Sequence, residues 1–185
     1  MDKTKDQKIL IDSCILVYSG TDKFSDKTKK LLRLLADNNN KLAISELCGF
    51  EVLKNCQNKD NFKYYLKLID YLDNIEINKS ILINAASLHS LYGKSSNNKE
   101  DDSFQKEKSA GDLIIGGTAA YYETLLLTAN LNDFPLPYWE IVTHDFMMYE
   151  DNRRFKLINR YLLRFNYDEA KKNKNAILLA KNDKK

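Results

Sequence analysis

Four short stretches, far apart along the chain, each join an apolar run to an acid: Ile9-Leu10-Ile11-Asp12, Leu42-Ala43-Ile44-Ser45-Glu46, Ser109-Ala110-Gly111-Asp112-Leu113-Ile114-Ile115, and the run from Leu125 through Thr128, Asn130 and Asp133 to Phe134. Three of the runs read as buried strands, and the other opens a helix. Carboxylates at strand ends and at a helix N-terminus are where an open α/β sheet gathers its active site. Four gathered carboxylates repel one another unless a cation neutralises them, so the pattern predicts a divalent-metal site. Hard oxygen ligands suit Mg²⁺ or Mn²⁺ and do not suit zinc.

Each acid also has a purely structural use. Asp12 can cap the turn that follows its strand, because Asp is favoured at helix starts. Glu46 sits in a first helical turn, where the helix dipole favours an acid. Asp112 opens a helix whose continuation, Leu113 to Ala120, is apolar or small all round. An acid on so deeply packed a helix needs a cation or several donors, and here the functional reading is the stronger one. Beyond the last strand, Thr128 offers a hydroxyl, Asn130 a neutral oxygen and Asp133 a charged one, although turn chemistry accounts for the same residues.

Elements that carry these residues follow from periodicity. Strands are predicted over 8–12, 41–44, 74–77, 124–128 and 140–146, and helices over 25–38, 45–56, 62–72, 80–92 and 110–123. Ser25 and Ser45 read as N-caps. From Arg153 the pattern reads as helix again. Strands alternating with helices of these lengths imply an α/β sandwich around a mostly parallel sheet. Residues 93–108 are polar and read as a mobile insertion ahead of Asp112; residues 168–185 are a lysine-rich tail. No internal repeat or second domain is visible.

Composition narrows the class. The chain has 185 residues, 43% of them hydrophobic and 30% charged, with six glycines and two prolines. This fits one globular α/β domain and argues against a turn-rich all-β fold. No cationic-then-apolar leader and no bilayer-length apolar run is present, so a cytoplasmic protein without a membrane anchor is expected. Cys14, Cys48 and Cys56 are odd in number and read as reduced thiols. Zinc held by them with His89 and His144 lacks the usual ligand spacing. The net charge of +3 is nearly neutral, but Lys27, Lys29, Lys30 and Arg33 cluster, as do Arg153, Arg154, Lys156, Arg160 and Arg164. Such clusters suit a nucleic-acid backbone beside an acidic pocket, or are simply solvated faces. The aromatics Tyr121, Tyr122, Tyr138 and Trp139 are expected to pack rather than to stack on bases. A phosphatase using Asp12 as nucleophile would need a second Asp where Cys14 stands.

Taken together, Ile11-Asp12-Ser13 with its apolar continuation, Ile44-Ser45-Glu46-Leu47, Asp112 through Ala119, and Leu126 through Phe134 resemble the PIN-domain ribonucleases. The closest likeness is to the VapC-type toxins of toxin–antitoxin pairs. The resemblance spans roughly residues 8–146. It implies a three-layer α/β/α sandwich over residues 1–166, with 167–185 as a basic tail, and an Mg²⁺- or Mn²⁺-dependent endoribonuclease. By matching position, Asp12, Glu46, Asp112 and Asp133 are the implied metal-binding and catalytic acids, supported by Ser13, Thr128 and Asn130. Many members carry an acid where this chain has Asn130. The resemblance further implies an RNA substrate, an antitoxin partner and a homodimer. A housekeeping RNA-processing nuclease and an inactive PIN-fold binding module are the competing readings.

Overall fold

The computed structural model describes residues 6–95, 109–151 and 154–172. In chain order the elements are β1 (Lys8–Ile11), α1 (Ser13–Ser19), α2 (Ser25–Asp37), β2 (Lys41–Ser45), α3 (Glu46–Lys54), α4 (Lys59–Asp70), β3 (Asp73–Ile75), α5 (Lys79–Ser95), α6 (Ala110–Tyr122), β4 (Leu125–Thr128), β5 (Trp139–Asp151), β6 (Arg154–Phe165) and α7 (Tyr167–Lys172). They form one six-stranded sheet in the order β3-β2-β1-β4-β6-β5, flanked by helices.

Ile9, Leu10 and Ile11 are wholly buried, as are Leu126 and its neighbours in β4. Apolar residues at successive positions are what a strand needs when both faces of the sheet are covered. β1 and β4 accordingly take the centre of the sheet and pair in parallel, with Ile11 opposite Leu127. β2 and β3 extend the parallel set on the other side of β1. The chain therefore works outward from β1 through β2 to β3 and then returns to β4 on the far side of β1. That reversal is the topological switch point of an open α/β sheet, and it lies between the carboxyl ends of β1 and β4.

Helix boundaries have local causes. Ser45 caps α3 by accepting from the Cys48 N–H at 3.3 Å, and Asn58 caps α4 by accepting from the Asn61 N–H at 2.8 Å. The Asn58 cap explains why α4 starts earlier than its apolar periodicity indicates. Ser25 differs from expectation: it opens α2 from inside the helix, and its hydroxyl donates to the Ser19 carbonyl at 2.8 Å. Asn38 closes α2, and Asn39 behind it takes the left-handed region at φ 60°. Gly117 permits the close seat of α6 on α5, since a Cβ there would lie 2.7 Å from the Ala85 nitrogen.

The stretch after Arg153 is a correction. It is strand β6, not helix, antiparallel to both β4 and β5. Ile158, Tyr161, Leu162 and Phe165 do have helical spacing, but two flanking ladders compete with it. Leu162, Leu163 and Phe165 are buried on both faces of the sheet, and that tertiary gain overrides the local pattern. The last predicted strand is correspondingly longer, running to Asp151. Of the predicted 93–108 insertion and the lysine-rich tail, residues 96–108 and 173–185 lie outside the described residues, as does Arg153. Among the described residues, no helix is long and apolar enough to cross a membrane.

Candidate metal centre

Asp12 is the first residue past β1, directly at the switch point. Its N–H continues the ladder to the Leu127 carbonyl at 3.0 Å. The side chain is only 4% exposed. The Thr128 hydroxyl, at the end of β4, donates to Asp12 Oδ2 at 2.6 Å, and the Cys14 thiol donates to the same oxygen at 3.2 Å. Ser13 reaches Oδ1 at 3.3 Å. Two further backbone donors brace this arrangement: Ala129 N–H to Cys14 Sγ at 3.3 Å, and Asn130 N–H to Thr128 Oγ1 at 3.0 Å.

Asp112 approaches from the opposite wall. A helix that precedes a parallel strand starts at the strand's carboxyl end, so the first turn of α6 comes to the edge where β1 and β4 finish. Ser109 caps it by accepting from the Asp112 N–H at 3.1 Å, and its hydroxyl returns a bond to Asp112 Oδ2 at 2.5 Å. The cap fixes the carboxylate, and the capping and functional readings of Asp112 are therefore compatible. Asp112 is close enough to Asp12 to repel it electrostatically.

These surroundings set the electrostatics. Burial pushes the Asp12 carboxyl above the usual carboxylate range, Thr128 and Cys14 pull it back by hydrogen bonding, and the Asp112 charge raises it again. Cys14 is likewise raised, first by burial and then by the charge of Asp12, so it remains a thiol. Cys48, beneath the first turn of α3, is pushed up to about 12 by burial. All three cysteines are free. Among the described residues, neither Asp12 nor Asp112 forms an ion pair with Lys, Arg or His.

Glu46 lies elsewhere on the same edge. It is exposed at the start of α3, and its carboxylate accepts from the Ile77 N–H at 3.2 Å, on the β3 side and away from Asp12. Asp133 ends a short 3₁₀ turn, Leu131–Asp133, and accepts a hydrogen bond from the Asn130 side chain. It acts electrostatically, as Asp112 does, on the buried Tyr92 hydroxyl, which accepts from the Trp139 indole at 2.7 Å. Of the seven residues singled out from sequence, the structure thus gathers Asp12, Ser13 and Thr128, with Asp112 facing them. Asn130 and Asp133 form a neighbouring pair, and Glu46 points outward. One acid went unnoticed: Glu51 on α3, whose Oε1 lies 2.7 Å from where a Cβ on Gly111 would stand, against the first turn of α6. The only available signal was its position five residues after Glu46, on the same helix.

Among the described residues, no group of three or more His, Cys, Asp or Glu side chains is arranged to share a metal ion. The donor set at the switch point still fits Mg²⁺ or Mn²⁺. These ions keep several waters and need only one or two protein carboxylates, and a buried carboxylate facing a second one without a cation is an arrangement that such an ion relieves.

A mostly parallel sheet, helices on its faces and an acid pair at the β1–β4 switch point make an open α/β domain with its candidate site at the carboxyl edge. Solved structures share this fold, two among them being toxin–antitoxin complexes. One is the VapBC2 complex of Rickettsia felis bound to a DNA fragment from its promoter: 21% identity, TM-score 0.54, covering 69% of this chain and 90% of that one. The other is a toxin–antitoxin complex from Klebsiella pneumoniae: 21% identity, TM-score 0.51, covering 70% of this chain and 92% of that one. No family model matches the sequence, and no curated protein does. The chain has the fold of a VapC-type PIN domain.

Proposed function

We propose that this chain is a divalent-metal-dependent endoribonuclease and the toxin of a toxin–antitoxin pair. The observation that carries the reading is the buried Asp12 at the switch point, held by neutral donors alone and faced by Asp112. In this reading Asp12 and Asp112 hold Mg²⁺ or Mn²⁺. Such an ion lowers the pKa of water and offsets charge on phosphate oxygens. Thr128 and Cys14 donate to Asp12 Oδ2 and so orient the carboxylate that would hold the ion, while Ser13 makes a longer contact to Oδ1. Ser109 does the same for Asp112. Asn130 and Asp133, bonded to each other just beyond β4, would contact substrate or a water shell. Glu46 stands at the outer margin. RNA is the proposed substrate and the cytoplasm the proposed site of action.

The toxin assignment rests on the fold, because both similar structures are of toxin–antitoxin complexes. Its partner would be a small protein that covers the acidic edge. Purified protein with Mn²⁺ should cleave RNA, lose activity in EDTA, and lose it again as Asp112→Asn. Intact RNA in the presence of Mn²⁺ would count against any nuclease. Cleavage by a protein whose expression does not arrest growth would instead favour a housekeeping enzyme.

A further inference from the structure

The β5–β6 hairpin is longer than the sheet it belongs to. β4 pairs with β6 only through Leu126–Thr128, against Tyr161 to Leu163. The rest of the ribbon runs past the carboxyl end of β4 as a two-stranded arm, on the edge where Asp12 stands. Side chains alternate between its two faces, and the face with Asp145, Met147 and Tyr149 turns to α2 and the turn before it. Arg160, 5% exposed, clamps the arm there. Its Nε and Nη2 donate to the Asp145 carboxylate at 2.7 and 2.6 Å, and its Nη1 to the Lys27 carbonyl at 3.4 Å. Lys27 Nζ in turn donates to the Met148 carbonyl at 2.7 Å, and the Thr28 hydroxyl to Met147 Sδ at 3.4 Å. An arm held this firmly costs little further ordering when something binds it.

A row of rings leads from this face toward the acids. Tyr149 meets Phe24 edge-on with centroids 4.8 Å apart, and Phe24 meets Tyr18 edge-on at 5.1 Å. Burial raises the Tyr18 hydroxyl, and Cys14, Tyr149 and Asp12 raise it further, so the acid and the arm are both within reach of this one side chain. Phe24 is buried, whereas Tyr18 and Tyr149 are only half-buried. Cations stand beside the outer ring. Lys23 Nζ lies over Tyr149, 6.0 Å from its centroid, and Lys156 is the cross-strand partner of Tyr149. We propose that Tyr149, with Lys23 and Lys156 beside it, is a stacking platform for an unpaired base of the RNA strand held at the Asp12 site. An aromatic ring flanked by cations takes a base on its face and the adjoining phosphate on the ammonium groups. Lys23 sits at the outer limit of a cation–π contact, where it can exchange the ring for a phosphate without leaving its place. Stacking needs a base whose face is free, so the platform selects single strands over duplex. The inference rests on the RNA substrate proposed above and extends it from the acids to the arm.

Binding of a short fluorescent single-stranded RNA to the purified full chain, followed by anisotropy in EDTA, tests it without any cleavage. Tyr149→Ala should weaken binding by roughly ten- to a hundredfold, the loss of one base stack. Tyr149→Trp should bind at least as tightly as wild type, which a merely structural role for the phenol would not allow. Lys23→Gln should weaken binding and lower the salt slope by about 0.7, the release of one phosphate contact. A duplex of the same sequence should bind wild type and Tyr149→Ala alike. Single-strand binding by Tyr149→Ala within about twofold of wild type would overturn the inference. An equal loss on the duplex would overturn it too, because the arm would then have moved as a whole, as would a Tyr149→Trp no tighter than Tyr149→Ala. Failure of the nuclease reading looks different: the wild type would bind the single strand through Tyr149 and still leave it intact in Mn²⁺, and the platform would stand.

Discussion

Asp12 follows β1 and Glu46 follows β2, so two adjacent parallel strands each deliver an acid to the same edge of the sheet. Their surroundings have little else in common. Asp12 is buried, and every side chain bonded to it is neutral. Glu46 is exposed and has a backbone N–H as partner. The first arrangement costs stability unless a cation arrives, because burial and a like charge both disfavour the carboxylate. The second is comfortable as it stands. One strand of displacement from the switch point separates a buried carboxylate held by neutral donors from an exposed one bonded to a backbone N–H.

The sharpest way to break that contrast is Asp12→Asn. If the pocket works through a cation at Asp12, RNA cleavage in Mg²⁺ or Mn²⁺ should fall by about a thousandfold or more. Retention of activity within about tenfold of wild type would show that the buried corner is not the centre.

The seat of α6 comes next, because Asp112 reaches the site only if that helix is in place. Gly117→Ala pushes a methyl group into the backbone of α5, with Ala85 N at 2.7 Å and Ile81 O at 2.9 Å. Backbone cannot swing aside, so a loss of about 2–3 kcal/mol is expected from urea unfolding, with activity falling as Asp112 shifts. Gly111→Ala is the counterpart. Its new methyl group meets the end of the Glu51 side chain at 2.7 Å, which can rotate away, and the Ser109 hydroxyl at 3.4 Å, close to ordinary contact. Stability should change by less than about 1 kcal/mol. Equal losses in the two variants would show that α6 is held by something other than its packing on α5.

The contrast between the corners should also appear without any substrate. Because the Asp12 carboxyl is raised in the folded protein, the group favours folding below the ordinary carboxylate range. That contribution is lost as pH rises through the folded value. At neutral pH in EDTA, Asp12→Asn should therefore raise stability, and the gain should vanish as pH falls below the ordinary carboxylate range, where Asp12 is protonated in both states. Mg²⁺ should stabilise the wild type and leave the variant unmoved. A destabilised Asp12→Asn in EDTA would mean that the charge is already compensated.

How far this was legible in the sequence depends on how local each cause is. β1, β4 and the first turn of α6 were readable because unbroken apolar runs, and an acid at the head of one of them, are properties of a few consecutive residues. The parallel order also followed from alternating element types. β6 was misread because the partners of Ile158 to Phe165 stand eleven to thirty-seven positions away, which no window over that segment contains. At the site, position along the chain brought Glu46 to the correct edge but could not show which way its side chain turns. Glu51 was invisible for the complementary reason: its proximity to Gly111 exists only once α3 and α6 pack.

Glu46→Gln carries the smallest expected effect and tests the outer corner directly. The amide oxygen can still accept from the Ile77 N–H, so the loop after β3 keeps its anchor and stability should stay within about 0.5 kcal/mol of wild type. Only the charge is removed, and it is removed from an exposed side chain that faces β3. Cleavage should therefore fall by no more than about tenfold, through weaker long-range attraction for the ion and not through a lost contact. The measurement is kcat/KM for a short RNA at two Mn²⁺ concentrations, because a remote charge changes the metal dependence while leaving the saturated rate intact. A saturated rate as low as that of Asp12→Asn would show that Glu46 leaves the Ile77 N–H and swings to the switch point when metal binds. The two corners would then be one site, closed by the ion itself.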